Sequence, residues 1–265
     1  MPEVVQKILN GNGVAEITLN RPEVYNVYNQ TFLENLRAAY LNFGSNPDVR
    51  VILLRGNGKY FSAGADVEWF QKLSKSSRSI QLAAATLSTS TFEVIWQCPK
   101  PTIALIHRGC FGGGVGFAAT SDIVVAEEKT NFAITEVRLG ITPAPILFPL
   151  LGAINARYLK RFATTGETFD SEIAQKIGLV HEISPAGKLD TTIEPIIDNL
   201  LKGGPLAVSK TKELINKIAF SSSEQLDLDD LAKISVQGRS GEEGVEGFDA
   251  FLQKRDPSWY SRTKS

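Results

Sequence analysis

Thr102–Gly116 reads TIALIHRGCFGGGVG. Its first five residues, Thr102–Ile106, form a short apolar run of strand length. Five glycines then crowd into the eight residues Gly109–Gly116. A buried strand running into a glycine-rich loop, with a helix opening among the glycines, is an α/β signature. Glycine is needed in such a loop for positive φ angles or for close approach of a ligand to bare backbone. A helix N-terminus there adds unpaired N–H donors and positive potential. The loop is therefore an anion or oxyanion site, or else a tight strand-to-helix turn with no ligand. It is not G-x-x-x-x-G-K-[ST], and no acidic partner makes it a dinucleotide fingerprint.

The pattern continues outward. Upstream, Val14–Leu19 (VAEITL) has partial strand alternation and ends at Arg21-Pro22. Asn29 is placed to cap a helix over Thr31–Phe43, whose apolar positions recur at helical spacing, with Gly44 as its stop. Val49–Leu54 (VRVILL) reads as a buried strand, followed directly by Phe61–Asp66 (FSAGAD). Ser79–Gln97 reads as a helix ended by Pro99 and Pro101, and Ile123–Ala126 as a strand. The tail differs: Thr191–Leu201, Ala207–Ile218, Ser223–Ile234 and Glu243–Lys254 read as helices, broken by Gly203-Gly204-Pro205. The expected organisation is an α/β core over residues 1–195 and a helical C-terminal region over 196–265. No repeat at fixed spacing appears.

Composition narrows the function. The chain has 265 residues, 43% hydrophobic and 22% charged, with a net charge of -1. Near-neutral charge without a basic stripe argues against nucleic acid. No apolar run approaches the roughly 18 residues of a membrane span, and the opening MPEVVQKILNGNG lacks the features of a secretory signal. The two cysteines, Cys98 and Cys110, form no C-x-x-C pair and read as reduced thiols. These points together predict a cytoplasmic protein. No His/Cys/Asp/Glu grouping has metal spacing and no nucleophile elbow is present, so no metal or other cofactor is expected.

The two small-residue loops define the candidate site. Both follow strands. Small side chains around Ala65 leave its N–H open to a carbonyl oxygen, and the N–H of Gly113 can meet the same atom. Two converging donors form an oxyanion hole, which acts where negative charge develops. Asp66 caps the helix after its loop or orders the loop itself. His107, Arg108 and Arg138 are possible carboxylate contacts, although His107 and His181 are more simply structural. Glu127-Glu128-Lys129 reads as a solvated turn, and Trp69-Phe70 and Trp96 as core or pocket walls.

FSAGAD and GCFGGGVG, in this order and spacing, resemble the enoyl-CoA hydratase/isomerase (crotonase) family. Asn20-Arg21-Pro22 with Asn26, Ser121-Asp122-Ile123, Thr135–Gly140 (TEVRLG), Gly178-Leu179-Val180 and Phe251–Arg255 (FLQKR) extend the match along the whole chain. The resemblance implies a spiral of ββα units with a helical C-terminal region, assembly as homotrimers or homohexamers (dimers of trimers), and an acyl-CoA substrate that brings its own coenzyme A. It also implies that Ala65 and Gly113 supply the oxyanion hole. Ala63, Ala65, Asp66 and Val67 would lie along the CoA, with Gly112 and Gly116 lining the substrate site and Lys254 reaching CoA phosphates.

The resemblance also exposes a departure. Many hydratases of the family carry two glutamates, matching Gly116 and Glu136; only Glu136 is present. Glu136 is then the sole acid/base candidate. The resemblance implies a hydratase, most like methylglutaconyl-CoA hydratases with a branched dicarboxylic substrate, whose carboxylate would occupy room left by Gly116. Alternatives are a double-bond isomerase using Glu136 as its only proton shuttle, a cinnamoyl-CoA-type hydratase-lyase, and, in another class, a non-catalytic scaffold or RNA-binding relative. Thr142–Phe148 (TPAPILF) departs from the pattern and predicts a different acyl-pocket wall.

Overall fold

The fold was analysed in a computed structural model that describes residues 3–220 and 227–260. In chain order the elements are β1 (Val5–Leu9), β2 (Val14–Leu19), α1 (Gln30–Ser45), β3 (Val51–Gly56), α2 (Val67–Ser74), α3 (Arg78–Trp96), β4 (Thr102–Ile106), β5 (Gly109–Phe111), α4 (Gly113–Thr120), β6 (Ile123–Glu127) and β7 (Asn131–Ala133). They continue with α5 (Ala144–Ala153), α6 (Ala156–Thr165), β8 (Phe169–Asp170), α7 (Ser171–Lys176), β9 (Glu182–Ser184), α8 (Leu189–Lys202), α9 (Pro205–Phe220), α10 (Leu228–Ser240) and α11 (Glu242–Gln253).

The main sheet has the order β1-β2-β3-β4-β6-β9, with β1 antiparallel to β2 and the other pairs parallel. Its central strands are apolar on both faces because both faces are covered. Ile52, Leu54, Ala104, Ile106, Val124 and Ala126 face the larger core, with Phe32 and Leu36 of α1 and Phe92 of α3. The alternate residues Val51, Leu53, Ile103, Leu105 and Val125 pack on Ile193, Ile196, Ile197 and Leu200 of α8. Each fully buried Leu or Ile there is worth about 1.5–3 kcal/mol of transfer free energy. Period-two segregation of strand side chains thus builds two cores from one sheet. The expected division after residue 195 falls inside α8, whose apolar face on both sides of that point belongs to the second core.

The chain winds as strand, short strand, helix. After β3, Ser62 bridges Cys110; after β4, β5 pairs in parallel with β7, which itself follows β6. The small second sheet, β5-β7-β8, thereby collects the segments that leave the carboxyl ends of β3, β4 and β6. This ββα spiral stacks the FSAGAD loop, the glycine loop and the Glu136 segment upon one another.

Most expected elements are present, with instructive shifts. Asn29 caps α1, its side chain accepting from the Phe32 N–H at 3.1 Å. Gly44 does not stop that helix. It lies within it and lets Pro99 approach, an added Cβ meeting the ring at 3.3 Å. The helix expected over Ser223–Ile234 is found over Leu228–Ser240; residues 223–226 lie outside the described ones. Among the described residues no helix is long and apolar enough to cross a membrane.

Candidate active site

The FSAGAD loop is held by Asn26, a buried residue with φ 57°. Its amide nitrogen reaches the carbonyls of Asn57, Tyr60 and Phe61 at 2.8, 2.9 and 3.1 Å, and its Oδ1 accepts from the Arg21 N–H at 2.8 Å. Ser62 Oγ donates to the Asn26 carbonyl at 3.0 Å. Tyr28 then lies alongside Ala65 as a parallel bridge. The Tyr28 N–H donates to the Gly64 carbonyl at 2.8 Å and the Asp66 N–H to the Tyr28 carbonyl at 2.9 Å. These bonds bracket Ala65 and leave its own N–H without an acceptor among the described residues.

The glycine loop meets this one directly. Gly64 has φ +93°, and a Cβ there would come 2.9 Å from the Phe111 carbonyl and 3.4 Å from the Gly113 nitrogen. Only bare backbone permits that approach. Gly112, with φ +50°, caps α4, and its N–H donates to the Ala133 carbonyl at 2.8 Å. Gly113 is the first residue of α4, so its N–H has no helical partner, and none is found among the described residues. The two unpaired N–H groups expected from the sequence, those of Ala65 and Gly113, belong to loops in contact.

Glu136 stands beside them. It opens a 3-10 turn (Glu136–Leu139) just beyond β7. Its Oε1 lies 3.1 Å from where a Gly112 Cβ would be, so a side chain at 112 would press on this carboxylate as well as strain a backbone at φ +50°. Its Oε2 is buried and has no hydrogen-bond partner. Burial pushes the Glu136 carboxyl up from its ordinary range, and the N–H groups of residues 136 and 135 only partly offset this. A desolvated carboxylate with a free lone pair is a competent base.

The other sequence-predicted residues have the following surroundings. Asp66 caps α2, its Oδ1 accepting from the Glu68 and Trp69 N–H groups at 3.1 and 3.2 Å, and its Oδ2 pairs with Arg21 at 3.4 Å. His107 Nε2 is bonded to the Gly58 carbonyl at 3.0 Å, and burial holds its pKa down. Arg138 lies against Gly166, and His181 Nδ1 accepts from the Val124 N–H at 3.0 Å. Ala63 is half-buried in the FSAGAD loop, its N–H donated to the Tyr25 carbonyl; Val67 is exposed at the start of α2. Lys254 is exposed at the left-handed C-cap of α11, and among the described residues no contact joins it to these loops.

Gly116, expected to leave room for a substrate carboxylate, has apolar neighbours in this structure. A Cβ at 116 would sit 2.3 Å from Ile146 Cγ2 and 2.9 Å from Phe92 Cε1, so apolar side chains fill the space. Ile146 comes from the TPAPILF segment. Gly116→Glu should therefore destabilise by about 1–3 kcal/mol through overpacking, a loss on the order of 5 °C in a thermal melt. Adding Ile146→Ala should recover part of it. A single Gly116→Glu variant that melts like wild type would show that Ile146 yields and the space is available.

Sequence reasoning passed over Tyr28 and Phe92. Tyr28 is buried, its ring edge-on to Trp69, Phe92 and Phe117 at centroid distances of 6.3, 6.5 and 5.7 Å. A Cβ on Gly113 would meet its Oη at 2.8 Å, so the phenol end abuts the helix start. The one signal available was its position two residues after Asn26. Phe92 also lines a cavity of about 650 Å³ between α3, α5 and α9, with Trp96, Pro145 and Phe148.

A strand-ended pair of loops presenting two free N–H groups beside one desolvated carboxylate has the chemical means to hold an oxyanion and to accept a proton. Comparison with known proteins gives the family. The enoyl-CoA hydratase/isomerase family model matches residues 10–262. A trans-2-decenoyl-[acyl-carrier-protein] isomerase of Streptococcus mutans is 30% identical over 253 residues, 94% of this chain and 95% of that protein. A carnitinyl-CoA dehydratase of Citrobacter koseri is 27% identical over 261 residues, covering 94% and 95%. The crystal structure of an enoyl-CoA hydratase from Shewanella pealeana superposes with a TM-score of 0.92 at 34% identity, over 97% of this chain and 96% of that one. The chain belongs to the enoyl-CoA hydratase/isomerase family and has its α/β crotonase fold.

Proposed function

We propose that the chain is an acyl-CoA hydratase/dehydratase that adds water across a 2-enoyl-CoA, with Glu136 as its only acid/base. The observation that carries this is the desolvated Glu136 carboxylate, its Oε2 without a partner, beside the free N–H groups of Ala65 and Gly113. The thioester oxygen sits between those two donors, which take up charge as the enolate forms. Glu136 moves the proton between water and the α-carbon. No cofactor is needed beyond the CoA that arrives with the substrate. The apolar cover of Ile146 and Phe92 over Gly116 favours an acyl group without a second carboxylate at that point, against the methylglutaconyl-type substrate expected from the sequence. The neighbouring cavity offers an apolar chain further room. Homotrimers or dimers of trimers are part of the proposal, supported by the exposed Leu228, Phe251 and Leu252 on the C-terminal helices.

Double-bond isomerisation is the second reading. It is favoured by the absence of a carboxylate at Gly116 and by the Streptococcus mutans isomerase among the relatives. A panel of crotonyl-CoA, methylglutaconyl-CoA, a 3-enoyl-CoA and an aromatic enoyl-CoA, followed by mass, separates the readings. Hydration adds the mass of one water; isomerisation adds none and is read from the absorbance of the conjugated product. Hydration of crotonyl-CoA faster than of methylglutaconyl-CoA is the expected result. The reverse order would restore the dicarboxylic substrate, and isomerisation alone would end the hydratase reading.

A further inference from the structure

The Glu136 reading leaves one need unmet. Hydration requires that water be held against the β-carbon as well as deprotonated, and Gly116 holds no polar group. Tyr28 is a polar side chain that the structure brings to the start of α4, beside Gly113. Its backbone is bonded to both sides of Ala65, and its hydroxyl reaches the Cα side of Gly113. The same residue thus touches both loops of the site. Its ring is fixed by Trp69, Phe92 and Phe117, so the phenol has little freedom to swing away. The Tyr28 phenol also lies close enough to Glu136 to feel its charge, and Glu136 Oε2 is buried with no hydrogen-bond partner among the described residues.

We propose that Tyr28 is a water-positioning residue, its hydroxyl replacing the carboxylate absent at Gly116; this rests on the hydratase reading above. In hydration, water donates one hydrogen bond to Glu136 and the other to Tyr28 Oη. The water oxygen bonds to the β-carbon while the Cα=Cβ electron pair moves onto the thioester as an enolate. Glu136 takes the proton that water loses and returns it to the α-carbon as the enolate collapses. One water is consumed and no proton is left over. In dehydration Glu136 carries the α-proton to the departing hydroxyl, which Tyr28 holds. Tyr28 stays neutral throughout: burial, and secondarily the Glu136 carboxylate, push its phenol above the ordinary range. It holds water without competing for the proton.

The test uses Tyr28→Phe, which removes only the oxygen. Two reactions are measured on the full-length protein: hydration of crotonyl-CoA, by mass, and exchange of the α-protons of butyryl-CoA in D2O. Exchange needs Glu136 and the oxyanion donors but no attacking water. Tyr28→Phe should lose about 100-fold or more in hydration, the scale expected when a reactant is misplaced, and keep its exchange rate and melting temperature. Equal loss of both reactions would mean a structural role and overturn the assignment, as would hydration at the wild-type rate. Wild-type protein that exchanges but never hydrates would overturn the role of Tyr28 and leave Glu136 standing as a proton shuttle. Wild-type protein that does neither would overturn the hydratase reading and this inference with it.

Discussion

Glu136→Gln should lower kcat by roughly 10²–10⁴-fold, the usual contribution of a positioned acid/base, and leave acyl-CoA binding intact. The side chain keeps its shape, so the loss reports proton transfer alone. The same variant should be more stable than wild type at neutral pH. Burial raises the Glu136 pKa in the folded chain. Folding therefore disfavours the ionised form, and the wild-type chain loses stability as pH rises from the unfolded pKa through the raised folded one. Glutamine does not titrate, so its advantage is present above that window and vanishes in acid. Thermal melts across pH, set beside kcat, check both halves. The acidic limb of wild-type kcat/KM should also lie above the ordinary glutamate range, because the base must be ionised. Near-normal turnover in the glutamine variant would remove Glu136 from the mechanism.

An ester in place of the amide between residues 112 and 113, made by incorporating glycolic acid for Gly113, should cut kcat by about 10²–10³-fold. The exchange deletes the N–H and adds no atoms. Proline would delete it too, but its Cβ would collide with Tyr28, whose Cε1 lies 2.4 Å from the ideal Cβ position. Lost turnover in that variant would mix chemistry with packing. The ester keeps the turn open and the helix start intact. A folded ester protein with full activity would mean that the Gly113 donor takes no part in stabilising the oxyanion. A fall in affinity with unchanged kcat would move the donor to ground-state binding.

Local information was enough for much of the fold. The apolar runs VRVILL and TIALI are of strand length and lack helical spacing, and they became β3 and β4. Asn29 before a 3.6-period pattern marked the start of α1. The glycine crowding at 109–116 located the helix opening because backbone approach excludes a Cβ wherever it occurs in the fold. Glu136 was legible as the one remaining acid/base candidate because the family motifs register the chain at every step. The short strands β5, β7 and β8 carry no such signal, since two or three residues have no period and exist only because the spiral brings them side by side.

What the sequence by itself determined is therefore the α/β class, the two small-residue loops and the carboxylate of Glu136, each written in neighbouring residues. What only the tertiary structure decided is the shape of the chamber around them. Gly116 read as open space, and contact with Ile146 and Phe92, which lie 30 and 24 residues away, closed it. Tyr28 carried no reading in the sequence, and bridging to Ala65 from 37 residues away brought its hydroxyl to Gly113. Whether a side chain fills a space or faces a reactant depends on long-range packing of this kind, which no local pattern of residue types encodes.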